Sequence, residues 1–508
     1  MQPFGILGCG CASIGPGRKP VQDDWKLTRS LALNLGLRWT YTSPFKTKFG
    51  QQSQFDPNVT DPVTGKPGAI THPKGIIGKR DLNNFQPRLG LVWHFQKKWV
   101  FRSSFGIITA EEAGRAGFEE YAGRFNILRP TGDPRHVFVL SQGPGPIAYP
   151  VLPDGTVPYT GASYSARNAT WRDPNLRNPY VMNWSSGFQY EFARRWLLDI
   201  FYHGTAGVGL TRSWNINEIP LSIALSGNRA LQDQVYVAQQ DYRYYPHFGN
   251  ISLLSNFNHN TYHSGNIIVE KRYSAGLTLN AYYTISKTLT NAGEISYYDR
   301  KGKARASYDR RHNFGTMVTY ELPFGQGRRW LNRSRIFNAV LGGWTLALSE
   351  QIYSGIPLSV SMSGSPYRYL TATRVNALAP IEEAKVPNWK MGHRFPTAAQ
   401  NPYFRMDIFR YPEAYTVGSL GANVLEAPGI VWTEVFASKR WSFWERLKVT
   451  LRLDGHNLPI KKPNLAAPNT TYNLNNPSAW ARFTGVVGGS SNFGSGMANV
   501  QAAVRLEW

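Results

Sequence analysis

The stretch "YYDRKGKARASYDRRHNF" concentrates Arg300, Lys301, Lys303, Arg305, Arg310 and Arg311 among Tyr297, Tyr298 and Tyr308. Guanidinium and ammonium groups at this density bind phosphates and carboxylates, and rings among them can stack on bases. The ligand such a run could hold is therefore an anion: single-stranded nucleic acid, a phosphorylated surface or an anionic solute. Other candidates are weaker. His259 and His263 in "HNTYH" are four apart, which on a helix would let both reach one metal ion, but their surroundings predict a loop leading into a strand. Glu111, Glu112, Glu119 and Glu120 in "EEAGRAGFEE" suit a short surface helix better than a calcium site. Cys9 and Cys11 are too close for a loop-closing disulfide and too few for zinc. The sequence contains no HExxH, GxSxG, P-loop or GxGxxG pattern, so no catalytic residue, cofactor or metal is expected.

These residues sit in a chain of 508 residues with 56 Lys plus Arg against 32 Asp plus Glu, a formal charge of +24. The positives are dispersed rather than gathered in one basic domain, so most of the excess is expected on a solvated surface, with no nucleic-acid partner. Mean hydropathy is −0.36, and no run of about eighteen apolar residues occurs, so no membrane-spanning helix is encoded. The 48 Gly, 33 Pro, 16 Trp and 27 Tyr favour strands and turns over helices. The expected class is all-β.

Period-two alternation recurs along the chain. "LALNLGLRWTY" places Leu31, Leu33, Leu35, Leu37, Trp39 and Tyr41 on one face, and "LKVTLRLD" does the same with Leu447, Val449, Leu451 and Leu453. Some connections are only a few residues, as between Phe95 and Trp99 or Phe192 and Trp196. Between the hairpins lie long polar segments, at roughly 42–87, 108–179, 205–261, 288–311, 354–429 and 457–496. Short and long connections are expected to alternate strictly, which in an up-and-down sheet puts tight turns at one end and long loops at the other. That is the layout of an outer-membrane barrel, and strands of about 9–12 residues fit it. Aromatic residues where strands meet turns (Trp39, Tyr41, Trp99, Trp196, Trp441 and Trp444) are expected to form membrane-interface girdles.

From "VQDDWKLTRSLALNLGLRWTYTSP" onward the chain resembles the C-terminal part of TonB-dependent transporters with an Oar-like β-barrel, of the acidobacterial type. The residues carrying the resemblance include "NNFQPRLGLVWHF", "NPYVMNWSSGFQYEF", "YHSGNIIVEKRYSAGLTLNAYYTISKTL", "YDRRHNFGTMVTYELPFGQGRRW" and "KVTLRLDGHNL". The resemblance implies a transmembrane β-barrel of about 22 strands filled by a plug, in a Gram-negative outer membrane. It implies solute uptake driven by TonB through that plug, which these residues do not contain. It also implies that the terminal Val504, Leu506 and Trp508 form a signal read by the barrel-assembly machinery. The alternation rule yields about twelve strands, or fourteen if the long loops hide a pair, so a partial barrel is expected. Residues 1–20 are read as lying outside the family, disordered or from a mis-called start, and 21–508 as the barrel portion. "GHNLPIKKPNL" departs from an aromatic-rich segment common in the family. An even strand count would keep both termini at the short-turn, periplasmic side, with the long loops extracellular. There the basic run would meet lipopolysaccharide phosphates or an anionic solute. The alternatives are a freestanding porin or adhesin and a secreted glycan-binding module.

Overall fold

The computed structural model describes residues 17–44, 52–62, 64–71, 78–110, 119–120, 168–226, 228–300, 302–325, 327–331, 335–363, 374–389, 402–413, 416–443, 447–458, 464–483, 485–487 and 498–508. Thirteen strands follow one another in one antiparallel path. They are β1 (Gly17–Lys26), β2 (Leu31–Tyr41), β3 (Phe85–Gln96), β4 (Trp99–Thr109), β5 (Tyr180–Ala193), β6 (Trp196–Asn215) and β7 (Ile251–Ser274). The path continues through β8 (Leu277–Thr290), β9 (His312–Glu321), β10 (Trp344–Tyr353), β11 (Ile430–Phe443), β12 (Leu447–His456) and β13 (Asn499–Glu507). Two short strands complete a fifteen-stranded sheet: Ala169–Arg172 runs parallel to β7, and Ala304–Arg305 antiparallel to β8. Among the described residues β1 and β13 are each paired on one side only, so the sheet is open.

Opposed residues of an antiparallel pair share a face, and the register carries one mainly apolar face from β2 through β13. Leu35 opposes Leu89, Leu89 opposes Phe105 and Phe105 opposes Trp184. Further along, Ile200 opposes Ile267, Ile267 opposes Tyr283, and Leu451 opposes Val504. These side chains are not covered by protein: Leu89 is 50% exposed, Ile200 48% and Ile267 43%. A continuous apolar surface of this extent requires an apolar solvent. The opposite face bears Arg88, Arg102, Gln189, Asp199, Glu270 and Arg452, so it meets water.

The buried cores lie instead in the long connections at one rim. Phe55, Ile70, Ala169, Ile216, Phe248 and Ile251 form one cluster, in which the Phe55 ring meets Tyr245 at 4.9 Å and Phe248 at 5.1 Å, both edge-on. Asn217, fully buried, satisfies this lobe's backbone: its side-chain amide donates to the carbonyls of Phe248 (2.8 Å) and Gly249 (2.7 Å). A second cluster joins the connections before β11 and before β13 around Val375, Phe404, Phe409, Tyr472 and Trp480. There the Trp480 indole N–H donates to Phe404 O at 2.9 Å, and the Tyr472 hydroxyl to Phe409 O at 2.9 Å. These segments, read from sequence as polar loops, are folded lobes.

Five other expectations are corrected. The path holds thirteen strands, within the expected twelve to fourteen but odd rather than even. Gly17 opposes Tyr41 at the long-loop rim and Glu507 opposes Lys448 at the short-turn rim, so the described ends lie at opposite rims. Residues 17–20, read as outside any strand, begin β1. The two strands β6 and β7 reach 20 and 24 residues, well into the segment read as a loop, because above the apolar band they are held by loop lobes and not by alternation. Finally, the strict alternation of connections fails once: residues 322–343, at the short-turn rim, form a long connection containing the helix Arg335–Leu341.

Candidate functional site

The basic run is positioned by the connection that leaves β8 and returns to β9. Ala304–Arg305 pairs back onto Leu289–Thr290. Asp309, 1% exposed, pins the return: its carboxylate accepts from the Thr288 amide (2.7 Å) and from Arg305 Nε (3.0 Å). The two arms cross at Gly293 and Gly302, where the Gly293 amide donates to Gly302 O at 2.9 Å. A Cβ on Gly302 would lie 2.2 Å from the Gly293 carbonyl carbon, so only glycine permits this crossing. From the opposite connection, Asn423 Nδ2 donates to Arg305 O at 2.6 Å, and Arg374 donates to Gly293 O.

These contacts border an open cavity of about 400 Å³ lined by Lys287, Lys303, Arg305, Arg311 and Arg374, together with Leu289, Gly293, Gly302, Ile381 and residues 421–424. Among the described residues no carboxylate lines it. Arg305 is neutralised by Asp309 and by Glu426, whose carboxylate is 3.4 Å from its NH1. Lys287, Lys303, Arg311 and Arg374 have no salt bridge among the described residues, so the cavity holds a surplus of positive charge suited to an anion. A smaller neighbouring cavity of about 220 Å³ shares Lys287 and Arg311 and is walled by Tyr202 and His263.

The six basic residues named from sequence thus separate. Lys303, Arg305 and Arg311 line the cavity. Arg300 stacks 4.6 Å over Phe257 and 5.2 Å over Tyr297 in the first lobe. Arg310 lies 5.1 Å over Tyr353 and donates to Ser354 O at 2.8 Å. Lys301 lies outside the described residues. Lys287 and Arg374, which the sequence reading missed, complete the set. Lys287 looked like an ordinary strand residue, and Arg374 arrives from a distant connection.

His259 and His263 lie in β7 and not in a loop. His263 Nδ1 is 2.6 Å from the Tyr202 hydroxyl, and the Gly209 amide donates to His259 Nδ1 at 3.5 Å. Glu119 and Glu120 form a two-residue strand paired with Gln52 and Ser53, and not a helix. Glu111, Glu112, Cys9 and Cys11 lie outside the described residues.

The named aromatic residues occupy both rims. Trp39 and Tyr41 stack at 6.3 Å near the long loops, where the Trp39 indole donates to Leu82 O at 2.8 Å. At the short-turn rim Trp93, Phe95, Trp99, Tyr190, Phe192 and Trp196 form a chain of rings 4.2–6.4 Å apart on the apolar face. Trp441 lies on the same face, opposite Val449. Trp444 is outside the described residues. Val504 and Leu506 are 65% and 55% exposed on β13, and Trp508 beyond it is 91% exposed.

Beside the site, Glu218 is 7% exposed and accepts from Ser296 Oγ at 2.6 Å. Burial raises its carboxyl pKa above the ordinary range, despite the Ser296 hydrogen bond and the nearby Arg243 cation that pull it down. An acid with a raised folded pKa holds more protons folded than unfolded within that window. The lobe's stability is therefore fully present below the ordinary carboxylate range and is lost as pH rises through the raised value. Glu218→Gln keeps the acceptor for Ser296 and removes the titration. Hydrogen exchange of the 216–250 backbone should then be slower in the variant than in the wild type at about pH 8, and equal in acid.

An up-and-down sheet with one face for hydrocarbon and one for water is the wall of an integral outer-membrane protein. Residues 21–504 match the family described as outer membrane beta barrel domain, and the chain belongs to that family. Solved structures with a similar trace include the ferripyoverdine receptor of the outer membrane of Pseudomonas aeruginosa, with 10% identity, a TM-score of 0.42, and coverage of 96% of this chain and 38% of that one. The siderophore receptor PirA from Acinetobacter baumannii is 8% identical, with a TM-score of 0.45 and coverage of 97% and 45%. The ferric-catecholate import receptor Fiu from E. coli is 10% identical, with a TM-score of 0.42 and coverage of 96% and 44%. The chain thus spans 38–45% of the length of these receptors. No curated protein matches it.

Proposed function

We propose that this chain forms the wall of an outer-membrane transporter of the TonB-dependent type, taking an anionic solute across the outer membrane. One observation supports the reading above all others: from β2 to β13 the register keeps a mainly apolar face on one side and a charged one on the other, within a family match covering residues 21–504. In this reading the long-loop rim is extracellular, and the cavity around Lys287 and Arg311, on the same wall face as Tyr283 and Ile285, holds an anionic group at the outer rim, a lipopolysaccharide phosphate or a solute on its way in. The charged inner face surrounds a plug on which TonB acts. Further strands close the edges of β1 and β13, since unpaired backbone groups in hydrocarbon cost several kcal/mol each. Rings at both rims sit among lipid and lipopolysaccharide headgroups, and the exposed Val504, Leu506 and Trp508 are offered to the barrel-assembly machinery.

The test uses the full-length protein in its host. It should fractionate with the outer membrane, resist carbonate extraction, and migrate faster in gels when unheated. Uptake of a labelled solute that it carries should stop when TonB is deleted or the proton gradient is collapsed. Recovery in the aqueous fraction would overturn the membrane reading. Uptake indifferent to the gradient would overturn the TonB-dependent reading and favour an open porin.

A further inference from the structure

The long connection 322–343 is unusual in being at the short-turn rim and in its composition: it has Arg328, Arg329, Arg333 and Arg335 and no carboxylate. Its helix Arg335–Leu341 is fastened to the wall by its last carbonyls. Trp344 Nε1 donates to Val340 O at 2.9 Å, and Trp441 Nε1 to Ala339 O at 2.8 Å. Lys439 Nζ donates to Asn338 O at 3.2 Å and to Gly342 O, and it lies 5.2 Å from the Trp441 ring. Trp344 and Lys439 oppose each other, and Lys439 opposes Leu451, which puts all three fasteners on the apolar face. The helix end is therefore held on the hydrocarbon side of the wall, outside the lumen. Among the described residues nothing covers the apolar side chains of this connection: Ile336 is 77% exposed, Val340 60%, Trp330 50%, and Leu331 and Leu341 42% each. Arg328 is engaged by Glu321 at 2.7 Å, whereas Arg329 is exposed and makes no ion pair among the described residues.

We propose that residues 328–331 and the helix Arg335–Leu341 are an interfacial anchor: they lie in the headgroup layer of the leaflet at the short-turn rim and bind anionic phospholipid. The occupant follows from continuity with the apolar wall face and from the charge. Ile336 and Val340, one helical turn apart, enter the acyl layer, while Arg329 remains among phosphates. Lys439 holds the helix end without competing for lipid, because its ammonium is spent on the helix carbonyls. The proposal rests on the outer-membrane reading of the wall.

The test is a depth measurement on the full chain, with Cys9→Ser and Cys11→Ser, inserted into phosphatidylcholine vesicles with or without phosphatidylglycerol. Nitroxides are attached at Ile336→Cys or Val340→Cys, with Ile267→Cys on the wall and Tyr308→Cys on the long-loop rim as references. Ile336 and Val340 are expected to read as lipid, shallower than Ile267, with oxygen accessibility several-fold above that of a nickel chelate. Tyr308 should read as water. Phosphatidylglycerol should deepen the Val340 label, and Arg329→Gln should remove that gain. Chelate-accessible labels at Ile336 and Val340 with Ile267 in lipid would overturn the anchor alone. An Ile267 label in water would overturn the wall reading beneath it. Equal depth with and without phosphatidylglycerol would overturn recognition of the anionic lipid.

Discussion

Ile267→Arg is expected to destabilise the inserted protein by about 2–4 kcal/mol, whereas Ile268→Arg, one residue on, should change stability by less than about 1 kcal/mol. Ile267 is 43% exposed on the apolar face, between Ile200 and Tyr283. An arginine there would leave its charge in hydrocarbon, well inside the rim ring set by Trp196 and Lys271. Ile268 points to the other face and directly opposes Asp199, so an arginine there gains water and a cross-strand carboxylate. Denaturant unfolding in vesicles, followed by the shift between heated and unheated bands, measures both. Equal effects at the two positions would contradict the two-solvent wall, and reversed effects would mean that the strand register is displaced by one residue.

What was legible in the sequence follows from the same contrast. Alternation in β2, β3, β5, β8 and β12 could be read because each face meets one solvent along its whole length. In β1 the apolar-face positions are Lys19, Val21, Asp23 and Trp25, a mixture that no period-two search recovers. Asp23 is satisfied locally, accepting from the Asp24 amide and the Trp25 indole. The outer parts of β6 and β7 stand beyond the hydrocarbon, so nothing imposes alternation on them. The loop lobes were invisible for a different reason. Phe55, Ala169 and Phe248 come from three separate connections and Ile251 from the start of β7, so the core they form lies in no linear window. The cavity was half legible. Three cations come from one dense run, but Lys287 and Arg374 are brought beside them only by strand pairing and by the Arg374 contact with Gly293. Arg300 and Arg310 matched the run by composition, yet nearby rings divert them. The connection 322–343 hid its purpose because arginines and glycines resemble a solvated loop, and only the fasteners Trp344, Lys439 and Trp441 reveal which side of the wall it occupies.

That division of the basic run decides which residues should govern solute capture. Lys287→Gln together with Arg311→Gln is expected to weaken binding of an anionic probe such as citrate by about 100-fold at low salt, since each charge-assisted hydrogen bond lost costs about 1.5–3 kcal/mol. Both residues line the two adjoining cavities and neither makes a salt bridge among the described residues, so no carboxylate is stranded by the change. Arg310→Gln is the control: its guanidinium is held over Tyr353 and by Ser354 O, and binding should be unchanged. Arg305 is unsuitable as a probe, because removing it frees the buried Asp309 that pins the rim. The difference between wild type and the double variant should shrink as salt rises, because the rim is open to solvent and screening acts on it. Isothermal titration on the purified protein in detergent provides the affinities. Unaltered citrate binding in the double variant at low salt would remove the cavity from solute capture and leave its cations to the lipopolysaccharide surface, where binding of purified lipopolysaccharide should then fall in the same variant.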